Sequence, residues 1–224
     1  MRVRAAIFDL YETLITEFSD GKRIFRRQQD DPDRLGLSQD EFKREWRARQ
    51  ERRMNGSFPT FHAVIRDILE QRSLSYPHEH VEQLYRARVE EKGLPFQSIR
   101  SDILEMLDLL KKRGIKLGLI SNCTEEEVIH FGRSPLASCF DEVIFSYEVG
   151  MAKPQKEIYL MACERLGVTP EESIFVGDGG SDELRGARDA GLQPYHAYWF
   201  NTYIESGFRK LHAPLEVQNI LDHH

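Results

Sequence analysis

One pattern constrains this chain more than any other: a strand-length apolar run that ends in a turn or capping residue, repeated along the sequence. Val3–Phe8, Lys116–Ile120, Glu142–Phe145 and Ser173–Val176 are such runs, each long enough for a single strand. Segments of helical period lie between the later ones. Asp102–Arg113 stops at Gly114, Thr124–Phe131 opens on a Thr124/Glu127 capping box, and Gln155–Leu166 stops at Gly167. Strands alternating with helices of this length predict an α/β fold with a parallel sheet covered on both faces.

The interval from Ile15 to Ile99 breaks the alternation, because it holds no convincing strand and reads as consecutive helices. Ser38 and Glu41 form a capping box ahead of Phe42 and Trp46, and Gly56 closes that helix. Phe61, Val64, Ile65, Ile68 and Leu69 give the next helix an apolar stripe. Residues 15–99 are therefore expected to form a small helical domain inserted into a core made of residues 1–14 and 100–224. Asp30–Asp33, with Pro32, reads as a loop.

A chain of 224 residues has room for one such core and its insert. Its formal charge of −6 argues against a nucleic-acid partner, since no net basic field exists to release counterions. Ala5–Phe8 is too short for a signal-peptide core, and no run approaches the roughly 20 apolar residues that a membrane helix needs. Cys123, Cys139 and Cys163 are an odd number without metal-ligand spacing, which suits reduced packing thiols. The expectation is a cytoplasmic protein. Trp199, Phe200, Tyr203 and Phe208 near the end are expected as core contacts or contacts in a homodimer.

Four signals fall at or just after the C-terminal ends of the expected strands, where open α/β sheets gather ligands. Ala5–Phe8 runs into Asp9, Leu10, Tyr11, Glu12 and Thr13, which places a carboxylate where strand gives way to loop. Leu117–Ile120 ends in Ser121 and Asn122, a hydroxyl with adjacent amides ahead of a helix, suited to an anionic oxygen. Lys153 and Pro154 supply a fixed cation. Ile174–Val176 leads to Gly177, Asp178, Gly179, Gly180, Ser181 and Asp182, a flexible turn with two carboxylates four residues apart. Alone, each is common: a cap, a surface lysine or a loop aspartate would look the same.

Their joint order resembles the haloacid dehalogenase (HAD) superfamily, whose four motifs are a nucleophilic aspartate, a Ser/Thr, a lysine and a Gly-Asp acidic turn. The resemblance covers residues 3 to about 197. It implies a Rossmann-like core with residues 15–99 as a helical cap. It also implies that Asp9 attacks the substrate to form a covalent ester that water later hydrolyses. Ser121 and the Asn122 amide would grip the transferring group while Lys153 offsets charge. Asp9, Asp178 and the Tyr11 carbonyl would hold Mg²⁺, with Asp182 positioning Lys153 or a metal-bound water.

Tyr11 departs from the phosphatase pattern, in which a second aspartate stands two residues after the nucleophile. A phenol with an ordinary pKa of about 10 is a poor base at neutral pH. Tyrosine followed by Thr13 resembles the 2-haloacid dehalogenases, from which halide leaves without a proton. Trp46 and Arg47 followed by Gln50 resemble their cap helix, where the arginine at the Arg47 position binds halide, and Tyr159 also matches. Asp178 points the other way, because those dehalogenases carry a Ser/Asn-type residue there and use no metal.

The expected function is thus a Mg²⁺-dependent phosphatase of small, anionic phosphorylated metabolites acting through an aspartyl-phosphate. A metal-independent 2-haloacid dehalogenase is the alternative. A HAD-fold binding module without turnover is a third reading. Glu12 is expected to face solvent.

Overall fold

The computed structural model describes residues 2–19, 22–24 and 32–221. The strands are β1 (Ala5–Phe8), β2 (Phe18–Ser19), β3 (Lys22–Arg23), β4 (Lys116–Ser121), β5 (Glu142–Phe145), β6 (Ser173–Gly177), β7 (Gln193–Ala197) and β8 (Lys210–Leu211). Four helices precede the second half of the sheet: α1 (Gln39–Ala48), α2 (Gln50–Met54), α3 (Phe61–Gln71) and α4 (His78–Gly93). The others are α5 (Ser101–Lys112), α6 (Glu125–Val128), α7 (Ser146–Val149), α8 (Lys156–Leu166), α9 (Glu183–Asp189) and α10 (Glu216–Leu221).

Six strands form one parallel sheet in the order β5-β4-β1-β6-β7-β8. The alternation of β1 explains why its sequence is a continuous apolar run. Ala6 and Phe8 join a core cluster with α5 and α10, whereas Ala5 and Ile7 join a second cluster with α8 and α9. Both faces are buried, as in any parallel sheet flanked by helices. A fully buried Phe or Ile contributes roughly 1.5–3 kcal/mol, so a polar residue within β1 would be strongly selected against by packing alone.

From β1 the chain leaves to β4 and β5 on one side, then returns to β6, β7 and β8 on the other. The connections diverge beyond the C-terminal end of β1, which opens a crevice there. The functional residues gather at this point. β7 and β8 were not foreshadowed in the sequence: Gln193, Pro194 and His196 interrupt any apolar run, and β8 has only two residues. β8 pairs only with His196 and Ala197, so the Pro194 nitrogen meets no partner strand on that side.

The inserted helices have their own apolar cluster, centred on Phe61, Val64, Ile65, Ile68, Leu69 and Val81. The Ser38/Glu41 capping box forms as expected. Three local features differ from the sequence reading. The helix expected to run to Gly56 breaks at Arg49, whose guanidinium turns inward to Glu45 (2.7 Å), Asp67 (2.7 Å) and Gln71 (2.8 Å). Residues 15–99 also contain the β2–β3 hairpin, whose two-residue strands are too short to show a period. In the expected loop, Pro32 opens a 3₁₀ turn over Pro32–Leu35, and Asp30 and Asp31 lie outside the described residues.

Among the tail aromatics, Trp199 packs on the first core cluster and Phe208 on the second, while Tyr203 is exposed. The three cysteines are unpaired thiols, two of them buried. No helix among the described residues is long and apolar enough to cross a membrane.

One glycine links this packing to the crevice. A Cβ on Gly186 of α9 would stand 2.6 Å from the Pro154 carbonyl oxygen and 2.8 Å from its Cα. The helix therefore touches, backbone to backbone, the segment that carries Lys153. Alanine ordinarily stabilises a helix interior by about 1 kcal/mol over glycine. Here Gly186→Ala is expected to destabilise by about 1–3 kcal/mol through overpacking, read as a lower urea midpoint at unchanged slope. A variant at least as stable as wild type would show that the two backbones can part freely.

Candidate active site

Asp9 follows β1 directly, and its backbone N–H donates to the Val176 carbonyl of β6 at 2.9 Å. This carries the β-ladder one residue past the strand and fixes the carboxylate at the mouth of the crevice. Ser121, at the end of β4, is buried beside it on the neighbouring strand. The Asn122 side chain does something the sequence reading did not assign to it. Its Nδ2 donates to the Lys153 carbonyl at 2.8 Å, and its Oδ1 accepts from the Lys153 N–H at 2.8 Å. The amide thus clamps the Lys153 backbone in both directions.

Held this way, the buried Lys153 ammonium contacts Asp9 Oδ1 and donates to Glu183 Oε2 at 2.5 Å. Thr13 Oγ1 donates to the other Asp9 oxygen at 3.2 Å. Asp178, just past β6, accepts from the Gly180 N–H at 2.8 Å on Oδ1 and from Asn201 Nδ2 at 2.8 Å on Oδ2. Asp9, Asp178 and Glu183 each offer an oxygen within 4.8 Å of the others.

Burial raises the Asp9 pKa, and the Asp178 charge adds to that shift while Lys153 opposes it. Burial alone would lower the pKa of Lys153, but Asp9 and Glu183 together outweigh it and hold the ammonium charged. Glu183 is raised first by burial and then by the charges of Asp9 and Asp178, against the pull of Lys153. The donor set is oxygen only, as hard divalent cations prefer. Three carboxylates share the site with one ammonium, which pairs with two of them, Asp9 and Glu183. Counted as ionised, they leave an excess of two negative charges, which a divalent cation would balance.

Asp182 does not reach Lys153. The turn runs through left-handed backbone at Gly179 (φ 88°), Ser181 (φ 52°) and Asp182 (φ 54°), which turns Asp182 outward to pair with Arg185 at 3.2 Å on the surface. Glu183, the first residue of α9, enters the site instead and accepts from the Gly179 N–H at 3.1 Å. Counting five residues from Asp178 rather than four would have found it, the Gly179-Gly180 pair being the extra length. Asn201 also went unread: it is a buried loop residue after β7 in no periodic pattern.

Three further expectations meet a different geometry. Arg47 lies exposed on α1, and the insert cations paired with core carboxylates are Arg88 and Lys92. Glu12 is half-buried rather than turned fully to solvent. It takes a left-handed turn (φ 58°) and accepts from Thr16 Oγ1 at 2.5 Å and the Glu17 N–H at 2.9 Å. Tyr11 donates its phenol to the Glu127 carbonyl at 2.7 Å, and burial pushes that phenol well above its usual pKa. Its proton is therefore committed away from Asp9.

A parallel sheet covered on both faces, with a carboxylate, a buried ammonium and an acidic turn at one switch point, defines the class as an α/β fold with a charged site at its strand ends. The chain belongs to the haloacid dehalogenase-like hydrolases, a family that its residues 3–191 match. It is 37% identical over 95 residues to a glyceraldehyde 3-phosphate phosphatase of Methanopyrus kandleri, a match covering 41% of this chain and 40% of that one. It is 28% identical over 200 residues to (S)-2-haloacid dehalogenase 4A of Burkholderia cepacia, covering 85% and 80% of the two chains. Among solved structures it resembles a HAD phosphatase from Thermococcus onnurineus, with a TM-score of 0.68 at 24% identity over 98% of each chain.

The placement of Glu183 and Asp182 generates a direct comparison. Glu183→Gln removes one of the two carboxylates on Lys153 and is expected to lower turnover about tenfold to a hundredfold. Asp182→Asn, on the surface, is expected to leave turnover unchanged. A greater loss in Asp182→Asn, measured in the same phosphate-release assay, would reverse the assignment.

Proposed function

We propose that this protein is a Mg²⁺-dependent phosphatase of small phosphorylated metabolites, acting through an aspartyl-phosphate on Asp9. One observation carries the reading: Asp9, Asp178 and Glu183 each bring an oxygen within 4.8 Å of the others, and Lys153 pairs with only two of them, Asp9 and Glu183. Carbon–halogen chemistry gives no reason for the Asp178 carboxylate, and a metal site does. In this reading Asp9, Asp178 and the main-chain oxygen of Tyr11 hold Mg²⁺, which supplies charge neutralisation for the phosphoryl oxygens.

An Asp9 oxygen attacks phosphorus and displaces the alcohol, and water then attacks phosphorus to release phosphate and regenerate the carboxylate. Ser121 and the Asn122 N–H hold the phosphoryl oxygens while Lys153 offsets charge on the nucleophile and in the transition state. Residues 15–99 act as a cap over the crevice of the core formed by 1–14 and 100–224. The phosphatase named among the relatives supports a small phosphorylated substrate, although the match spans only 40% of its length. A cytoplasmic location belongs to the same reading.

The dehalogenase reading draws on Tyr11, whose committed phenol cannot serve the acid–base role of an aspartate, and on the longer but weaker match to a dehalogenase. Parallel assays separate the two. p-Nitrophenyl phosphate and 2-chloropropionate are offered with Mg²⁺ and with chelator. Phosphate release that is abolished by chelator and by Asp9→Asn is expected, and metal-independent chloride release would overturn it.

Tyr11 generates a second prediction. With no carboxylate at that position, phosphate esters with acidic leaving groups are expected to react much faster than alkyl esters. Tyr11→Asp is expected to raise the alkyl-ester rate by about 10²-fold or more where the geometry of the loop survives. An unchanged ratio of alkyl to aryl rates in that variant would show that protonation of the leaving group does not limit the reaction.

A further inference from the structure

Arg53 of α2 differs from the cations around it. It is 5% exposed, its Nε has no hydrogen-bond partner, and among the described residues no carboxylate pairs with it. Its neighbours at the seam between insert and core are all paired. Arg88 bonds Glu126 and Glu127 at 2.7 Å each, and Lys92 bonds Glu17 at 3.0 Å and Glu127 at 3.4 Å. Arg53 has only the Trp46 ring, 4.2 Å from its guanidinium carbon, a ring it shares with Arg88 at 4.9 Å.

Its place in the fold is defined by what it senses and what its helix touches. Burial lowers its pKa to about 10, with Arg88 assisting and Glu127 and Glu126 opposing. Glu127 stands on α6, which follows Ser121 and Asn122 out of β4. Just past α2, Gly56 meets α7 so closely that a Cβ there would stand 2.2 Å from the Tyr147 carbonyl oxygen. α7 begins directly after β5. α2 therefore meets the core at the C-terminal end of β5, on the same edge of the sheet as Asp9.

A buried guanidinium stays charged and is expensive to leave without an anion. The flat Trp46 face holds its head in place but supplies no hydrogen-bond acceptor. The planar fork of donors fits a carboxylate or a phosphate, in either case through paired charge-assisted bonds. Glu127 and Glu126 act on Arg53 only through space while bonding Arg88, which leaves its paired bonds open to a ligand.

We propose that Arg53 is a specificity residue that binds a second anionic group, carboxylate or phosphate, at the end of the substrate remote from the phosphoryl group on Asp9. This rests on the phosphatase reading above. It narrows the substrate class to phosphate monoesters that carry another anion, and it gives the insert a defined part in choosing them.

The test compares kcat/KM for 3-phosphoglycerate, propane-1,3-diol bisphosphate and glycerol 3-phosphate, whose tails are a carboxylate, a phosphate and a neutral hydroxyl. Wild type is expected to prefer one or both doubly anionic esters. In Arg53→Met, which keeps the stem against Trp46, that preference is expected to collapse by about tenfold to a hundredfold, mainly through KM. Arg53→Lys is expected to retain part of it. Turnover of the esters with the preference intact in Arg53→Met, or an equal loss on all three, would overturn the role of Arg53 alone. A wild-type protein that releases phosphate from none of the three would overturn the phosphatase reading and this proposal with it.

Discussion

Lys153 places one ammonium between the carboxylates of Asp9 and Glu183, and those two residues belong to different layers of the fold. Asp9 continues the central strand and Glu183 begins α9, which packs against α8, β6 and β7. All three side chains are buried, so the ion pair is not an ornament on a finished structure. Losing one partner of such a buried pair costs about 3–5 kcal/mol, because the remaining charges are left unsolvated. The protein accordingly fixes Lys153 from several directions. Asn122 clamps its backbone, Gly186 lets α9 close on Pro154, and the Phe175 ring lies 5.4 Å from the ammonium.

The acidic turn shows how that arrangement is reached. Two consecutive non-glycine residues, Ser181 and Asp182, take left-handed backbone, a conformation that costs roughly 1–2 kcal/mol per residue. The bonds at either end of the turn offset this. Asp178 accepts from Gly180 and Asn201, and Glu183 accepts from Gly179 while receiving Lys153. Backbone strain is concentrated where the carboxylates must converge, as functional loops commonly have it. Straightening the turn would bring Asp182 inward and send Glu183 away from the ammonium.

Much of the geometry of the candidate site was legible because it is written at strand ends. The apolar runs before Asp9, Ser121 and Asp178 are read from periodicity, and a parallel sheet then brings those three residues to one edge. Residue identity and strand order were enough. Glu183 was not legible in that way, since choosing between it and Asp182 depends on φ angles in a glycine-rich turn. Asn201 is a contact across the fold with no local pattern. Arg47 misled for the reverse reason: a local pattern resembled a binding helix, but the break at Arg49 and the packing of Trp46 leave Arg47 on the surface. Single dihedral choices and tertiary contacts decide such cases, and neither leaves a period in the sequence.

The seam between insert and core joins these two halves of the problem. Although burial raises the Glu127 carboxyl pKa, Lys92 and Arg88 of the insert pull it below the usual carboxylate range. The same residue's carbonyl accepts the Tyr11 phenol, and Tyr11 stands two residues from Asp9, with the Lys92 ammonium 4.9 Å from its ring centroid. The insert thus meets the loop that follows Asp9 through Glu127, whose carboxylate pairs with Arg88 and Lys92 of α4 and whose carbonyl accepts the Tyr11 phenol. The residue that departs most from the phosphatase pattern is also the residue through which the insert reaches Asp9. Its phenol bonds the Glu127 carbonyl and its ring faces Lys92, so Tyr11 is held as a packing bridge between the two parts of the fold.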